Sequence, residues 1–268
     1  MKPTDGSPEA MYDAFSEDYD RFVSWDGRLA AEMPFIESQL AAQGASSVLD
    51  VACGTGMHAV ALARDGYDVV GTDVSEGMIE QARANAGSAG IDVRFETAGF
   101  GAVSRVLSCS RPDDGRFDAA LCLGNSLPHA LSQADLTAAL HDVARCLKTG
   151  GLLIIQNRNF DAVLAEHDRW MAPQYHRGKD SEQLFVRFYD FNPDGLLTFN
   201  VATLRRQADG EWQQHITSTK LWPMTEAELT GSLLAAGYEG LTLFGDLQGS
   251  PFDQEDSPNL VITAHSGG

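Results

Sequence analysis

Ser46-Ser47-Val48-Leu49-Asp50-Val51-Ala52-Cys53-Gly54-Thr55-Gly56 decides how this chain is read. A short apolar run ends in a carboxylate, passes through a turn with two glycines, and flows into helix-like residues 58–66. Working outward, Val69-Val70-Gly71-Thr72-Asp73 is a second short strand that also ends in an acid. Ser75 then stands as a helix N-cap before residues 76–86. Further strands are expected at 93–96, 117–123 and 152–156, with a helix over 131–147 that Gly150-Gly151 terminates. Strands alternating with helices at this pace imply βαβ units, so the expected fold is α/β with a doubly wound, mostly parallel sheet.

The flanks differ in character. Residues 1–10 carry Pro, Gly, Ser and charge and are expected to form a disordered tail. Residues 11–45 show helical spacing of apolar positions (Tyr12, Phe15, Tyr19, Phe22, Phe35, Ile36, Leu40) and are expected as an N-terminal helical lid. The α/β core covers 46–161. Beyond it, 162–222 reads as an antiparallel insertion whose strands turn at Asn192-Pro193-Asp194-Gly195. A helix capped by Thr225, with Glu228 completing the capping box, and a closing hairpin fill 223–268.

The 268 residues are 43% hydrophobic and 21% charged, an ordinary globular composition. With 38 acidic against 19 basic residues the net charge is −19, which repels a phosphate backbone and argues against a nucleic-acid partner. No apolar run of roughly 18 residues is present, so no membrane span is expected. The first residues lack a signal-peptide core, which makes the cytoplasm the default compartment. Cys53, Cys109, Cys122 and Cys146 stand singly, without metal-ligand spacing.

Gly54-Thr55-Gly56-Met57-His58-Ala59 fits the loose dinucleotide-loop pattern, in which a backbone approaches a ligand closely at a strand-to-helix turn. Either a dinucleotide or S-adenosylmethionine could dock there. Asp50 at the mouth of the loop would oppose a pyrophosphate but tolerates sulfonium and ammonium groups. Asp73, about twenty residues beyond the loop, is placed to accept hydrogen bonds from ribose hydroxyls. Phe100, in the segment Thr97-Ala98-Gly99-Phe100, would lie over an adenine.

Four further pieces carry a resemblance: Trp25-Asp26-Gly27-Arg28 with Glu32, the 48–56 loop, Cys122-Leu123-Gly124-Asn125-Ser126 with His129, and Asn157-Arg158-Asn159-Phe160-Asp161. Together they resemble the glycine N-methyltransferase and glycine/sarcosine methyltransferase group of class I, Rossmann-like methyltransferases. The resemblance implies an enzyme that transfers the methyl of S-adenosylmethionine to a small amino acid or related carboxylate-bearing amine; the antiparallel insertion is expected to act as a substrate lid. It implies that Arg28 holds the methionine carboxylate of the cofactor, that Arg158 clamps the acceptor's carboxylate with help from Asn125, and that Tyr12 and Tyr19 lie near the transferred methyl. The expected cofactor-binding set is Trp25, Arg28, Asp50, Ala52, Cys53, Gly54, Gly56, Asp73, Val74, Met78, Gly99, Phe100, Leu123 and His129. Tyr175 joins Asn125 and Arg158 at the acceptor.

This chain departs from the group at Phe160, where a tyrosine is usual, at Pro128, and over 169–222. An O- or C-methyltransferase, with Arg169, Tyr175, His176, Arg187 and Tyr189 shaping a larger pocket, and an NAD(P)-dependent oxidoreductase are the alternatives. The sequence leaves homo-oligomerisation open.

Overall fold

A computed structural model describes residues 6–108, 116–178, 182–207 and 210–267. In chain order the elements are helices α1 (Pro8–Phe22) and α2 (Trp25–Gln43), then β1 (Ser47–Val51), α3 (Met57–Arg64), β2 (Asp68–Asp73), α4 (Glu76–Ala89), β3 (Arg94–Thr97), α5 (Val103–Ser108), β4 (Phe117–Cys122), α6 (Gln133–Cys146), β5 (Leu147–Arg158) and α7 (Phe160–Glu166). There follow β6 (Gln174–Arg177), β7 (Glu182–Phe191), β8 (Leu197–Arg206), β9 (Trp212–Leu221), α8 (Glu226–Ala235), β10 (Tyr238–Phe244) and β11 (Asn259–Ser266).

The main sheet runs β10-β11-β5-β4-β1-β2-β3, parallel except for β11, which pairs antiparallel with both neighbours. Apolar side chains of β1, β4 and β5 alternate between the two faces, and each face buries its own cluster. Leu49, Ala120 and Leu153 pack beneath Leu140 of α6 and Leu229 of α8, while Val48, Leu121 and Ile154 pack beneath Ile36 of α2, Leu62 of α3 and Ile79 of α4. A second, four-stranded antiparallel sheet, β6-β7-β8-β9, follows the core. Its Phe185 and Val201 pack on Met11 and Phe15 of α1, so the sheet and the first helix share one small core.

Two expectations change. The disordered tail does not extend through residue 10: α1 begins at Pro8, with the Ser7 side chain accepting from the Ala10 N–H. Ser7 as N-cap with proline in the first turn satisfies orphan amides, so the local signal for a start was present. The closing strands β10 and β11 pair antiparallel, and β11 lies between β5 and β10. Helix α6 runs Gln133–Cys146 with Ser132 as its cap, and Gly150-Gly151 lie inside β5 rather than ending the helix. The caps expected of Ser75 and of Thr225 with Glu228 are both formed. Of the four cysteines, Cys53, Cys122 and Cys146 are free and buried; Cys109 lies outside the described residues.

The β1–α3 turn depends on close packing. Gly56 has φ +75°, and a Cβ there would lie 2.7 Å from Phe95 Cζ and 2.9 Å from Ala82 Cβ. The Phe95 ring thus occupies the space above the loop. Gly56→Ala combines a left-handed backbone with overpacking and is expected to cost roughly 2–4 kcal/mol. Thermal denaturation should show a Tm lower by about 5–10 °C; an unchanged Tm would mean that Phe95 moves aside freely.

Candidate active site

β1 and β4 are neighbours whose connections leave to opposite sides of the sheet, the point where an open α/β sheet gapes at its carboxyl ends. Two non-glycine residues with positive φ mark that crevice: Ala52 (φ 59°) just past β1 and Asn125 (φ 64°) just past β4. Three connected cavities meet there.

The first, of about 230 Å³, is lined by Tyr12, Tyr19, Ala52, Gly54, Asp73, Val74, Met78, Gly99, Phe100 and His129, all expected site residues, together with Val51, Gly124, Ser126 and the start of α1. Asp73 sits at its wall, 7% exposed, accepting from the Gly54 N–H at 2.9 Å and the Ser75 N–H at 2.9 Å. Each carboxylate oxygen keeps a second lone pair, enough for a pair of ribose hydroxyls. Burial raises the Asp73 carboxyl above its usual range, and the backbone N–H groups offset part of that rise. Gly99 cannot be larger without moving Val74, whose Cγ2 lies 3.0 Å from a would-be Cβ.

The second cavity is a cleft of about 30 Å³ bounded by Tyr19, Trp25, Arg28, Asp50, Ala52, Cys53, Gly54, His58, Leu123 and Ser126. The Arg28 guanidinium rests 5.2 Å from the Trp25 ring centre, and Glu32 takes its Nε at 3.0 Å. Burial alone would raise the Glu32 carboxyl, but hydrogen bonds from His58 and Arg28 outweigh it and hold Glu32 ionised. Asp50 is 3% exposed, and its Oδ2 has no hydrogen-bond partner among the described residues. Burial, then the nearby Asp73, pushes its carboxyl up to about 7. A buried carboxylate oxygen without a donor is costly. Here it faces a cleft that also holds a guanidinium. An α-amino-acid tail answers both groups, its ammonium for Asp50 and its carboxylate for Arg28, so the residues fit S-adenosylmethionine: nucleoside in the first cavity, amino-acid tail in the second.

The third cavity, of about 550 Å³, is lined by Asn125, Gln156 and Arg158 from the sheet ends, by Phe15 and Phe22 of α1, and by Trp170, Arg187, Tyr189 and Phe199 of the antiparallel part. It shares Tyr12, Tyr19, Gly124 and His129 with the first cavity. Asn125 Oδ1 accepts from the Arg158 N–H at 2.8 Å, which fixes where that arginine leaves β5. The Arg158 side chain has only a 3.9 Å approach to Asp168, while Asp161 instead accepts from Glu226 N and Gln254 Nε2. Tyr12 Oη and His129 Nε2 share a 3.1 Å hydrogen bond. Burial pushes His129 down to about 4, so it stands neutral at physiological pH and is no proton reservoir there.

Helix α1 is tied over the crevice by three carboxylates. Asp13 accepts from Ser75 Oγ and Gly77 N, Asp18 from Arg205, and Asp20 from Thr55 Oγ1, Trp25 Nε1 and Asn85 Nδ2. These ties aim Tyr12 and Tyr19 at the junction of the cavities.

Two expected residues fall elsewhere. Gly56 lines none of the three cavities and acts through the packing of the turn. Tyr175, 58% exposed, borders a separate depression with His176 and Asp20. It lies on β6, the edge strand of the antiparallel sheet, and shares no cavity with Arg158. Phe160, where the resembled group has tyrosine, is 1% exposed and packs against Tyr189, so its missing hydroxyl leaves no gap in the cavity. The expected set lacked Gly124, Ser126, Gln156, Phe22 and Phe199: Gly124 and Ser126 stand in the Cys122–Ser126 motif, a signal that could have found them, whereas Gln156, Phe22 and Phe199 offer only a position at an element end or on an apolar face.

Among the described residues no helix is long and apolar enough to cross a membrane, and no group of three or more His, Cys, Asp or Glu side chains could hold a metal.

The methyltransferase domain family matches residues 48–151. The glycine/sarcosine N-methyltransferase of Parasynechococcus marenigrum (strain WH8102) is 34% identical over 215 residues, which cover 76% of this chain and 74% of that protein. The enzyme of the same name from Aphanothece halophytica is 29% identical over 262 residues, covering 98% of this chain and 91% of that one. A crystal structure of an S-adenosylmethionine-dependent methyltransferase from Clostridium acetobutylicum superposes with a TM-score of 0.75 over 96% of this chain and 99% of its own, at 17% identity. The dinucleotide alternative therefore falls, in keeping with the unpaired carboxylate at the mouth of the loop. The chain is an S-adenosylmethionine-dependent methyltransferase and belongs to the glycine/sarcosine N-methyltransferase family.

Proposed function

We propose that the enzyme methylates the amino nitrogen of a small amino acid, with glycine and sarcosine as its acceptors. The observation that carries this reading is Arg158, a guanidinium without a close carboxylate partner among the described residues, held at the end of β5 by Asn125 in a cavity that opens onto the cofactor crevice. A guanidinium fork matches a carboxylate bidentately. The Asn125 carboxamide nitrogen, with no partner among the described residues, can add a donor to the same group.

When bound, S-adenosylmethionine supplies a methyl group on a sulfonium, already activated for displacement. The protein's task is then placement: Arg158 and Asn125 fix the acceptor's carboxylate so that its nitrogen points through the Tyr12–Tyr19–His129 junction. The α1 helix and the antiparallel sheet keep water out. Positioning of this kind supplies most of the acceleration in such transfers.

Methyl transfer to glycine, sarcosine, ethylamine and a set of phenols distinguishes the readings. Glycine and sarcosine should be methylated and ethylamine, lacking a carboxylate, should not. The size and aromatic walls of the third cavity favour a second reading, methylation of a larger metabolite on oxygen or carbon. Turnover of phenols with no turnover of glycine or sarcosine would establish that one instead.

A further inference from the structure

We propose that Arg187 is a second cation at the acceptor's carboxylate, and that the paired guanidiniums of Arg158 and Arg187 hold the bound acceptor's nitrogen in its neutral, reactive form. This rests on the N-methylation of a small amino acid proposed above.

On β7, Phe185, Arg187 and Tyr189 alternate onto one face, the one turned to α1 and α7. Phe185 and Tyr189 are buried in apolar clusters, whereas Arg187 between them opens into the third cavity. Its guanidinium carbon lies 4.7 Å from the centre of the Phe22 ring, and its Nε is buried with no hydrogen-bond partner among the described residues. Among the described residues no carboxylate pairs with it. A guanidinium nitrogen that has lost water without gaining an acceptor is expensive, and such a group is retained where a ligand supplies the anion.

The other charged and titratable groups facing this cavity do not compensate it. From α1, burial pushes the Tyr12 and Tyr19 hydroxyls upward, so both stay neutral. From α2, Arg28 and Glu32 neutralise each other. His129 is neutral, and burial pushes Tyr189 up to about 12. Asp168 reaches Arg158 only at 3.9 Å. What remains is the repulsion between Arg158 and Arg187, which together with burial makes Arg187 a weaker base than usual.

One carboxylate placed against two guanidiniums leaves net positive charge beside the acceptor's nitrogen. Like charge nearby disfavours an ammonium, by one to three pH units at distances of roughly 4–6 Å. The proton departs to solvent before transfer. The freed lone pair then forms the N–C bond while the C–S bond breaks with its electron pair onto sulfur, leaving a neutral thioether and a methylated ammonium. No side chain has to act as base, which agrees with a neutral His129.

The test is the pH dependence of wild type, Arg187→Leu and Arg187→Lys on sarcosine at saturating S-adenosylmethionine. The acid limb of kcat reports the bound acceptor, whereas that of kcat/KM reports free amine and free enzyme. In Arg187→Leu the kcat limb should move up by about one pH unit or more, with kcat at pH 7.5 down about tenfold. The kcat/KM limb should stay, and Arg187→Lys should keep the wild-type limb at a raised KM. Unchanged affinity for S-adenosylhomocysteine reports an intact fold; if the leucine variant does not fold, Arg187→Gln carries the same expectation. An unmoved kcat limb overturns the proposal. So does a lysine variant shifted as far as the leucine one, or a wild-type preference for an amino dicarboxylate over glycine, which would give each guanidinium its own carboxylate. Wild type that leaves glycine and sarcosine unmethylated at every pH overturns the parent reading as well, and shows itself before any variant is compared.

Discussion

Replacing Arg158 with alanine is expected to raise the acceptor KM by about 100-fold or more while leaving the affinity for S-adenosylhomocysteine within twofold of wild type. The magnitude follows from removing a charge-assisted, two-pronged contact to a carboxylate that binding takes out of water, on the order of 3 kcal/mol. The selectivity follows from placement. Arg158 borders the third cavity and neither of the two that fit the cofactor. Stability should barely change, because Asp168 stands 3.9 Å away and is 43% exposed at its side chain, so truncation strands no buried carboxylate. The backbone N–H that Asn125 accepts from is kept in the variant. Arg158→Lys should recover only part of the loss, since an ammonium cannot copy the fork. Steady-state kinetics in both substrates, with calorimetry for the thioether, checks each half. A KM at the wild-type value would remove Arg158 from the acceptor site, whereas a parallel loss of cofactor affinity would make it a residue of the shared scaffold.

The parallel core was legible because period and punctuation agree there. Apolar runs ending at Asp50 and Asp73, a glycine turn, and capped helices leave one doubly wound arrangement, and β1 to β5 lie where those runs stand. The crevice residues were legible for the same reason, since they follow strand ends. What the sequence concealed depends on partners remote in the chain. Asp13, Asp18 and Asp20 look like the solvated acids of an amphipathic helix, yet they meet Ser75, Arg205 and Thr55, between 35 and 187 residues away. The start of α1 carried a capping signal in Ser7 and Pro8, but the short polar stretch around it outweighed that signal. Tyr175 and Arg187 show the limit most plainly. Both sit in antiparallel strands of the same sheet, and only the strand order and the face decide that Arg187 enters the cavity and Tyr175 does not.

Asp50 makes cofactor binding depend on pH in a direction the structure fixes. Without ligand its carboxyl is held up at about 7, by burial first and then by Asp73, so below that pH it is protonated. The ammonium of the cofactor's amino-acid tail favours the ionised form, so binding lowers this pKa and expels a proton in acid solution. Affinity for S-adenosylhomocysteine should therefore rise with pH, by up to tenfold per unit below about 7, and level off above it. Asp50→Asn has no proton to lose and should flatten this dependence. At pH 8 it should also bind about 30- to 100-fold more weakly, the cost of exchanging an ion pair for a neutral amide in a desolvated cleft. Calorimetry in two buffers of different ionisation enthalpy counts the proton directly: close to one released per binding event at pH 6 in the wild type and none in the variant. The sign separates this account from its rival, in which Asp50 only braces the loop. A bracing carboxyl would weaken binding equally at every pH, and a wild-type affinity that did not change between pH 6 and 8 would show that the tail's ammonium is not held by Asp50.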